Sequence, residues 1–328
     1  MLVITGAAGF IGSNLLAKLE AAGSVSIAAC DILDSDSKQN NVAKRDAVTW
    51  INPADVLNYL AAHSSDIEAL IHLGAETATT ATDRDAVFAV NVDLSKALWE
   101  WATQTRTPFL YASSASVYGD GVLGFDDDPS PEAMGKLKPL NIYGESKLAF
   151  DLFVAEQVAA SAATPPQWAG LRFFNVFGPN ELHKGTQASV VSQMHPIVAQ
   201  GEPYPLFRSH RADVADGEQR RDFVFVDDCV GVIQWLLTHP GVSGLFNVGS
   251  GQARTFLDLA KAVHRASGRD YHPSWRDTPE SLKEHYQYFT QAELTRLRRA
   301  GYTDPFTSLE DGVTITIKEF LSQPDPFR

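Results

Sequence analysis

Cysteine is scarce in this 328-residue chain: Cys30 and Cys229 are the only two, too few for a disulfide framework or a four-thiolate metal site. Basic residues are in the minority, with 27 Lys and Arg against 40 Asp and Glu and a net charge of −13. A general nucleic-acid binder needs a broad basic face to release counterions, so that class is excluded. No apolar run approaches the roughly 18–20 residues of a membrane helix. The first residues already read as a strand and a tight turn, which leaves no room for a cleavable leader. A cytoplasmic protein without membrane or nucleic-acid partners is expected. Cys30 ends an apolar run and reads as a small buried residue. The nine histidines show no metal-ligand spacing, so no metal is expected.

What is present is ordinary for a folded, soluble protein: 44% hydrophobic and 20% charged residues. Short β-branched runs at 2–5, 26–31, 48–51, 69–73, 108–112 and 169–174 alternate with helical stretches at 10–22, 53–63, 83–103 and 142–160. In the 83–103 stretch, Val87, Val90, Leu94, Leu98 and Trp101 form one apolar stripe. This alternation predicts an α/β fold with a doubly wound parallel sheet. The second half is less regular. A loop over 178–185 and a helix over 187–199 precede a polar loop over 207–220. Strands follow at 223–226 and 245–248, and helices at 255–267, 291–300 and 308–321. The two halves meet near 175–178, and a pocket is expected at that junction.

Strand 2–5 runs directly into Gly6-Ala7-Ala8-Gly9-Phe10-Ile11-Gly12 and then a helix. Glycines at this spacing let the backbone approach a pyrophosphate at a helix N-terminus. Asp31 closes the next strand, where an acidic group meets the adenosine ribose. Asp31 alone favours NAD, whereas Lys38 nearby suits the 2′-phosphate of NADP. Spacing leaves both cofactors open. Farther on, Tyr143 and Lys147 stand at i and i+4 in Tyr143-Gly144-Glu145-Ser146-Lys147, so phenol and ammonium share a helix face. An ammonium there is expected to lower the phenol pKa. Ser113-Ser114 ends a strand, where open α/β sheets place their sites.

These motifs, with His72-Leu73-Gly74-Ala75, Asn91 and Arg172-x-x-Asn175-Val176-x-Gly178-Pro179, resemble the extended short-chain dehydrogenase/reductase superfamily along essentially the whole chain. Its members bind NAD(P) and act mostly on nucleotide-linked sugars. Three narrower features are the run from Asn180-Glu181-Leu182-His183-Lys184-Gly185 to Ala188-Ser189-Val190, Arg220-Arg221-Asp222-Phe223, and the stretch from Tyr286 to Leu294. They are similar to the ADP-glyceromanno-heptose 6-epimerase family. That resemblance implies an isomerase with tightly bound NADP, acting at C6 of an ADP-linked heptose, and a homo-oligomer such as a pentamer. It implies an NADP-binding Rossmann domain over 1–175, to which the chain returns at about 222–250. A smaller α/β substrate domain then covers mainly 176–328.

Carried over by position, Tyr143 and Lys184 are the expected acid/base pair, assisted by Ser114 and Lys147. Around the cofactor the resemblance places Gly6, Gly9, Phe10, Ile11, Gly12, Asp31, Ile32, Lys38, Leu73, Gly74, Ala75, Glu76, Thr77, Asn91, Lys147, Val176 and Lys184. Around the substrate it places Ser114, Asn175, Thr186, Gln193, Phe207, Arg208, Ser209, His210, Arg221 and Tyr286. The chain departs from the family at Thr186, usually Ser, and at Gln193, often His. It has Pro53 near the place of a second cofactor-side lysine, leaving Lys44 or Arg45 to substitute. Of Arg208, Arg211, Arg220 and Arg221, the last is expected to hold the substrate diphosphate, because it immediately precedes a strand at the pocket. His72 reads as a packed strand-end residue.

The chemistry of inversion agrees with this branch. Epimerising a hydroxyl-bearing carbon requires loss of hydride and its return to the opposite face, served by two proton carriers. A nucleotide-sugar dehydratase is expected to carry carboxylates beside the strand-end serine, and Ser114-Ala115-Ser116-Val117-Tyr118 has none. A UDP-hexose 4-epimerase shares the Ser–Tyr–Lys set but predicts neither the His-Lys-Gly loop nor the Tyr286 segment. A non-catalytic NADP sensor typically loses the Tyr or the Lys.

Overall fold

The computed structural model describes residues 1–23, 26–46, 48–283 and 286–328. Short, wholly apolar strands have no wet face to offer, so they take the middle of a sheet covered on both sides. β1 (Leu2–Thr5), β2 (Ile27–Cys30) and, past β3 (Val48–Ile51), β4 (Ala69–His72) follow this rule; β1, β2 and β4 are buried at every position. Adding β5 (Phe109–Ser114), β6 (Trp168–Phe173) and a late strand, β10 (Gly244–Val248), gives a seven-stranded sheet in the order β3-β2-β1-β4-β5-β6-β10. Every pairing in it is parallel. The doubly wound sheet expected from strand–helix alternation is therefore present. Side chains alternate between its faces: Leu2 and Ile4 join one core, Val3 another. Strand order reverses between β1 and β4, and the crevice beyond the carboxyl ends of those strands is where such sheets bind ligands.

The helices of the first half are α1 (Phe10–Ala21), α2 (Asp36–Asn40), α3 (Val56–Ala62), α4 (Arg84–Phe88), α5 (Leu94–Thr105), α6 (Pro131–Met134) and α7 (Ile142–Ala159). Between α4 and α5 a π-helical turn covers Ala89–Asp93. This turn displaces one member of the apolar stripe read from the sequence: Val87 and Leu98 are buried, and Leu94 and Trp101 pack against the core, but Val90 does not. The wider turn rotates that position outward, so Val90 is exposed while Leu94 and Trp101 are half-buried. Asn91, Val92, Ser95 and Trp99 face inward beside Leu98.

In the second half, β7 (Asn175–Phe177) pairs parallel with β9 (Arg220–Phe225), which pairs antiparallel with β11 (Ala253–Thr255). A second small pairing joins β8 (Leu206–Phe207) to β12 (Trp275–Arg276). Helices α8 (Val190–Ala199), α10 (Phe256–Ala266) and α13 (Leu309–Ile315) cover this region. They share a core of Phe177, Met194, Phe223, Leu259 and Val313. α9 (Val226–Thr238) packs its buried Cys229, Val232 and Ile233 under the large sheet, an element absent from the sequence reading. α11 (Glu280–Lys283) and α12 (Thr295–Arg299) are short. The helix expected over 291–300 shrinks to α12 because the Ala292 N–H donates to the Asp222 carboxylate (2.8 Å), holding that segment out of a helix. None of the described helices is long and apolar enough to cross a membrane.

Candidate active site

The turn after β1 needs glycine for steric reasons. Gly6 has φ +68°, and a Cβ there would lie 2.5 Å from the Gly74 nitrogen; a Cβ on Gly12 would lie 2.1 Å from the Gly6 carbonyl oxygen. Gly9 caps α1 without a side-chain acceptor, and the first turn carries no acidic residue. The free N–H groups and the positive helix end are thus left for an anion. Asp31 braces the turn: its Oδ2 accepts the Ala8 N–H (2.8 Å), and its Oδ1 accepts the Ile32 N–H (2.7 Å). Lys38 Nζ sits 2.7 Å from the same Oδ1, and Ile32 is exposed beside them. A tight glycine turn, an uncapped helix start and a carboxylate at the end of β2 fit a nicotinamide dinucleotide. Lys44 and Arg45 do not substitute for the lysine missing at Pro53. Lys44 pairs with Asp325 (2.8 Å) and Arg45 with Glu20 (2.6 Å), which ties both to the back of α1 and the end of the described chain.

The rim opposite the turn is the segment after β4. The Leu73 N–H donates to the Thr5 carbonyl (3.1 Å) and the Gly74 N–H to Thr5 Oγ1 (3.2 Å). Ala75 is half-buried, and Glu76 and Thr77 are exposed. Asn91, turned inward by the π turn, accepts the Glu76 N–H (2.8 Å) and donates to the Glu76 carbonyl (2.8 Å) and Ser146 Oγ (2.9 Å). Its amide therefore shapes the 73–77 rim and ties it to α7. His72 joins Thr5 (2.7 Å) to Ser95 (2.9 Å). Burial drives its pKa down to about 3, so it is a neutral packed residue.

α7 starts where Asn141 Oδ1 accepts the Gly144 N–H (2.8 Å), which sets Tyr143 in the first turn. Burial raises the Tyr143 pKa, and a hydrogen bond with Ser114 opposes the rise. The expected depression by Lys147 is not found. Lys147 Nζ is buried, donates to the Ala112 carbonyl (2.9 Å) and lies 6.0 Å from the Tyr143 ring centroid. Its own pKa falls to about 8, because burial penalises the ammonium. Ser114 ends β5 and accepts the Ser116 N–H (3.1 Å).

Lys184 stands on a 3₁₀ turn, Leu182–Gln187, in the loop after β7. Its Nζ lies 5.3 Å from the ring centroid of Phe10, the first residue of α1, which brings the amine beside the glycine turn. Desolvation lowers its pKa, and the Glu181 carboxylate counteracts that. Asn41 Nδ2 stitches this loop to the turn by donating to the carbonyls of Ala8 (2.9 Å) and Asn180 (3.1 Å). Ile11 and Val176 pack at the boundary of the two cores there.

Of the expected substrate residues, Arg221, Tyr286 and Phe207 come together. The Arg221 guanidinium is buried 5.3 Å from the Tyr286 ring and 5.8 Å from Phe256, and Phe207 meets Tyr286 edge-on. Among the described residues no carboxylate pairs with Arg221, and burial takes its pKa down to about 10. Asn175 is exposed at the start of β7, bonded to Thr290 (3.4 Å). Others are already occupied. Arg208 pairs with Asp216 (3.0 Å) and Asp277 (3.7 Å). Ser209 and His210 bond to Asp216 and Tyr288. Gln193 donates to the carbonyls of Thr186 (3.2 Å) and Ala188 (2.6 Å), so this amide shapes the Lys184 loop. Thr186 itself is exposed.

Sequence reasoning missed the buried supports. Asp151 accepts from Arg172 Nε (2.9 Å), Ser113 (2.9 Å) and Tyr111 (3.1 Å), all beneath the site. Asp222 accepts from Ser250, Gly251 and Ala292 next to Arg221. The signal was an acid inside an apolar helix or strand, which must find donors or remain costly.

Residues 2–249 match the NAD dependent epimerase/dehydratase family. The chain belongs to this family. The epimerase is 43% identical to ADP-L-glycero-D-manno-heptose-6-epimerase of Nitratidesulfovibrio vulgaris strain DP4, over the whole of both chains. It is 39% identical to the enzyme of the same name from Fusobacterium nucleatum, again over the whole of both. Among solved structures it resembles Helicobacter pylori ADP-L-glycero-D-manno-heptose-6-epimerase, with TM-score 0.78, 28% identity, and 97% and 95% of the two chains covered. The fold is also that of Thermotoga maritima UDP-glucose 4-epimerase, at 24% identity, TM-score 0.77 and 98% coverage of each chain.

Proposed function

We propose that this epimerase interconverts ADP-D-glycero-D-manno-heptose and ADP-L-glycero-D-manno-heptose at C6, with NADP as its resident cofactor. The full-length relatives that carry the heptose-6-epimerase name support the substrate. The Lys38–Asp31 pair supports NADP, since a neutralised carboxylate does not repel a 2′-phosphate. A nicotinamide held on the glycine turn supplies reversible hydride exchange with C6.

The chain's own residues handle position and protons. Arg221, buried between aromatic rings, offers its guanidinium to the diphosphate. Tyr143, bonded to Ser114, takes the C6 hydroxyl proton from one epimer as the carbon becomes a ketone, and Lys184 does so for the other. When the ketone is reduced on its other face, the proton is supplied by the group that did not take it, and return of the hydride makes the cycle redox-neutral with no second substrate. Lys147 holds its amine on the Ala112 carbonyl, 6.0 Å from the Tyr143 ring centroid, at the floor of the same helix start. The observation that supports this reading is that Tyr143 and Lys184 stand on separate elements. Tyr143 opens α7, and Lys184 rides the turn beside Phe10.

Incubation with ADP-D-glycero-D-manno-heptose, followed by NMR at C6, tests the proposal. The L epimer is expected to accumulate to a stable ratio without added cofactor. An unchanged spectrum, with turnover of UDP-glucose instead, overturns the reading.

A further inference from the structure

The Lys184 turn has little packing of its own. Leu182, Gly185, Thr186 and Gln187 are exposed, and a 3₁₀ turn of this kind is weak by itself. Yet the residue just before it, Glu181, is one of the most buried acids in the chain, at 1% exposure. Its Oε2 accepts the Ser189 N–H at 2.6 Å, and its Oε1 accepts the hydroxyls of Ser189 (2.5 Å) and Ser192 (2.7 Å). Ser189 is the N-cap of α8, so the carboxylate ties the start of the turn to the start of the next helix. Its own carbonyl accepts the Lys184 N–H (3.0 Å), and Gln193 closes the far end through Thr186 and Ala188. A buried carboxylate with this many donors holds its place firmly.

We propose that Glu181 is a positioning residue for Lys184: its clamped carboxylate locks the turn that carries the amine and supplies a fixed negative charge beside it. The inference rests on the reading of Lys184 as a proton carrier. Other charged groups near the amine are His183 on the same turn and the Lys38–Asp31 pair facing His183. That pair is internally neutralised, and burial keeps His183 neutral above about pH 4. Burial raises the pKa of Glu181 itself, and the bonds from Ser189 and Ser192 with the Lys184 charge oppose that rise; as a carboxylate it is the group whose charge favours the ammonium against desolvation. Without it the amine holds its proton less well.

The test is the pH profile of kcat for Glu181→Gln and Glu181→Asp, measured on the enzyme with its cofactor in place. Glu181→Gln is expected to lower kcat about tenfold and to move the Lys184 inflection down by about one pH unit, with KM little changed. Glu181→Asp keeps the charge on a shorter arm, so its inflection stays at the wild-type pH while kcat falls. An inflection that stays put in Glu181→Gln overturns the inference. Should that variant not fold, Ser192→Ala removes a single donor; a several-fold lower kcat at unchanged cofactor content supports the clamp, and an unchanged kcat overturns it. Lys184→Ala run in parallel separates the two readings. If it epimerises normally, the acid/base assignment of Lys184 fails; if it is inactive and Glu181→Gln shows no shift, only the role of Glu181 fails.

Discussion

Lys38 Nζ and Asp31 Oδ1 lie 2.7 Å apart at the end of β2, so the acid expected to receive the adenosine ribose is already neutralised by a lysine of α2. The pair turns a feature that favours NAD into one that tolerates an extra phosphate. Replacing Lys38 by Ala is expected to weaken NADP relative to NAD by about ten- to a hundredfold, the worth of one charge-assisted contact. Fluorescence titration of cofactor-stripped protein with each nucleotide measures it. An unchanged ratio would remove Lys38 from cofactor selection.

Tyr143→Phe and Lys184→Ala are each expected to lower kcat by about 10²–10⁴, the usual contribution of a positioned acid or base. Both should leave bound nucleotide in place, because neither group supports the glycine turn. NMR of the C6 epimer, with nucleotide content determined in parallel, is the measurement. Near-normal turnover by either variant would reduce the scheme to a single proton carrier.

Arg221 lies between Tyr286 and Phe256, where a planar cation stacks and a compact ammonium does not. Arg221→Lys should therefore raise KM about tenfold or more while kcat changes less. A drop in kcat at constant KM would place the guanidinium near the reacting carbon instead of the diphosphate.

Lys147 sets a pH dependence of stability. Its pKa is about 8 in the fold and about 10.4 in an unfolded chain. Between those values the unfolded state binds more protons, so rising pH favours the folded state. Below pH 8 the buried ammonium costs stability, and that cost disappears as pH climbs. Denaturant melts should show wild type gaining up to about 3 kcal/mol on Lys147→Met between pH 8 and pH 10.4. A constant difference across that range would mean the ammonium is not penalised by burial.

The central sheet was legible because each strand is a local statement. A run such as Leu2–Thr5 with no polar face belongs inside a parallel sheet, and Gly6, Gly9 and Gly12 mark the turn by what they lack. α9 carries its buried Val226, Cys229, Val230, Ile233 and Leu236 at helical spacing, a period legible only once the strand before it is known to end at Phe225. The stripe of Val87, Leu94, Leu98 and Trp101 was legible by its period, and only Val90, inside the π turn, faces solvent. The start of α8 moved from 187 to Val190 because Ser189, held by Glu181, is the true cap.

Composition, strand–helix alternation, the glycine turn and the Tyr143–Lys147 spacing determined the fold class and the kind of chemistry, because each depends on residues close together along the chain. Which arginine is left for a ligand was decided only by the tertiary structure, which gave Arg208 and Arg211 to nearby acids and buried Arg221 among rings. The same holds for the neutralised Asp31, for Lys147 docked on Ala112 and for Glu181 behind Lys184. Charges pair by distance in space, and no spacing in sequence states how far apart folded side chains will lie.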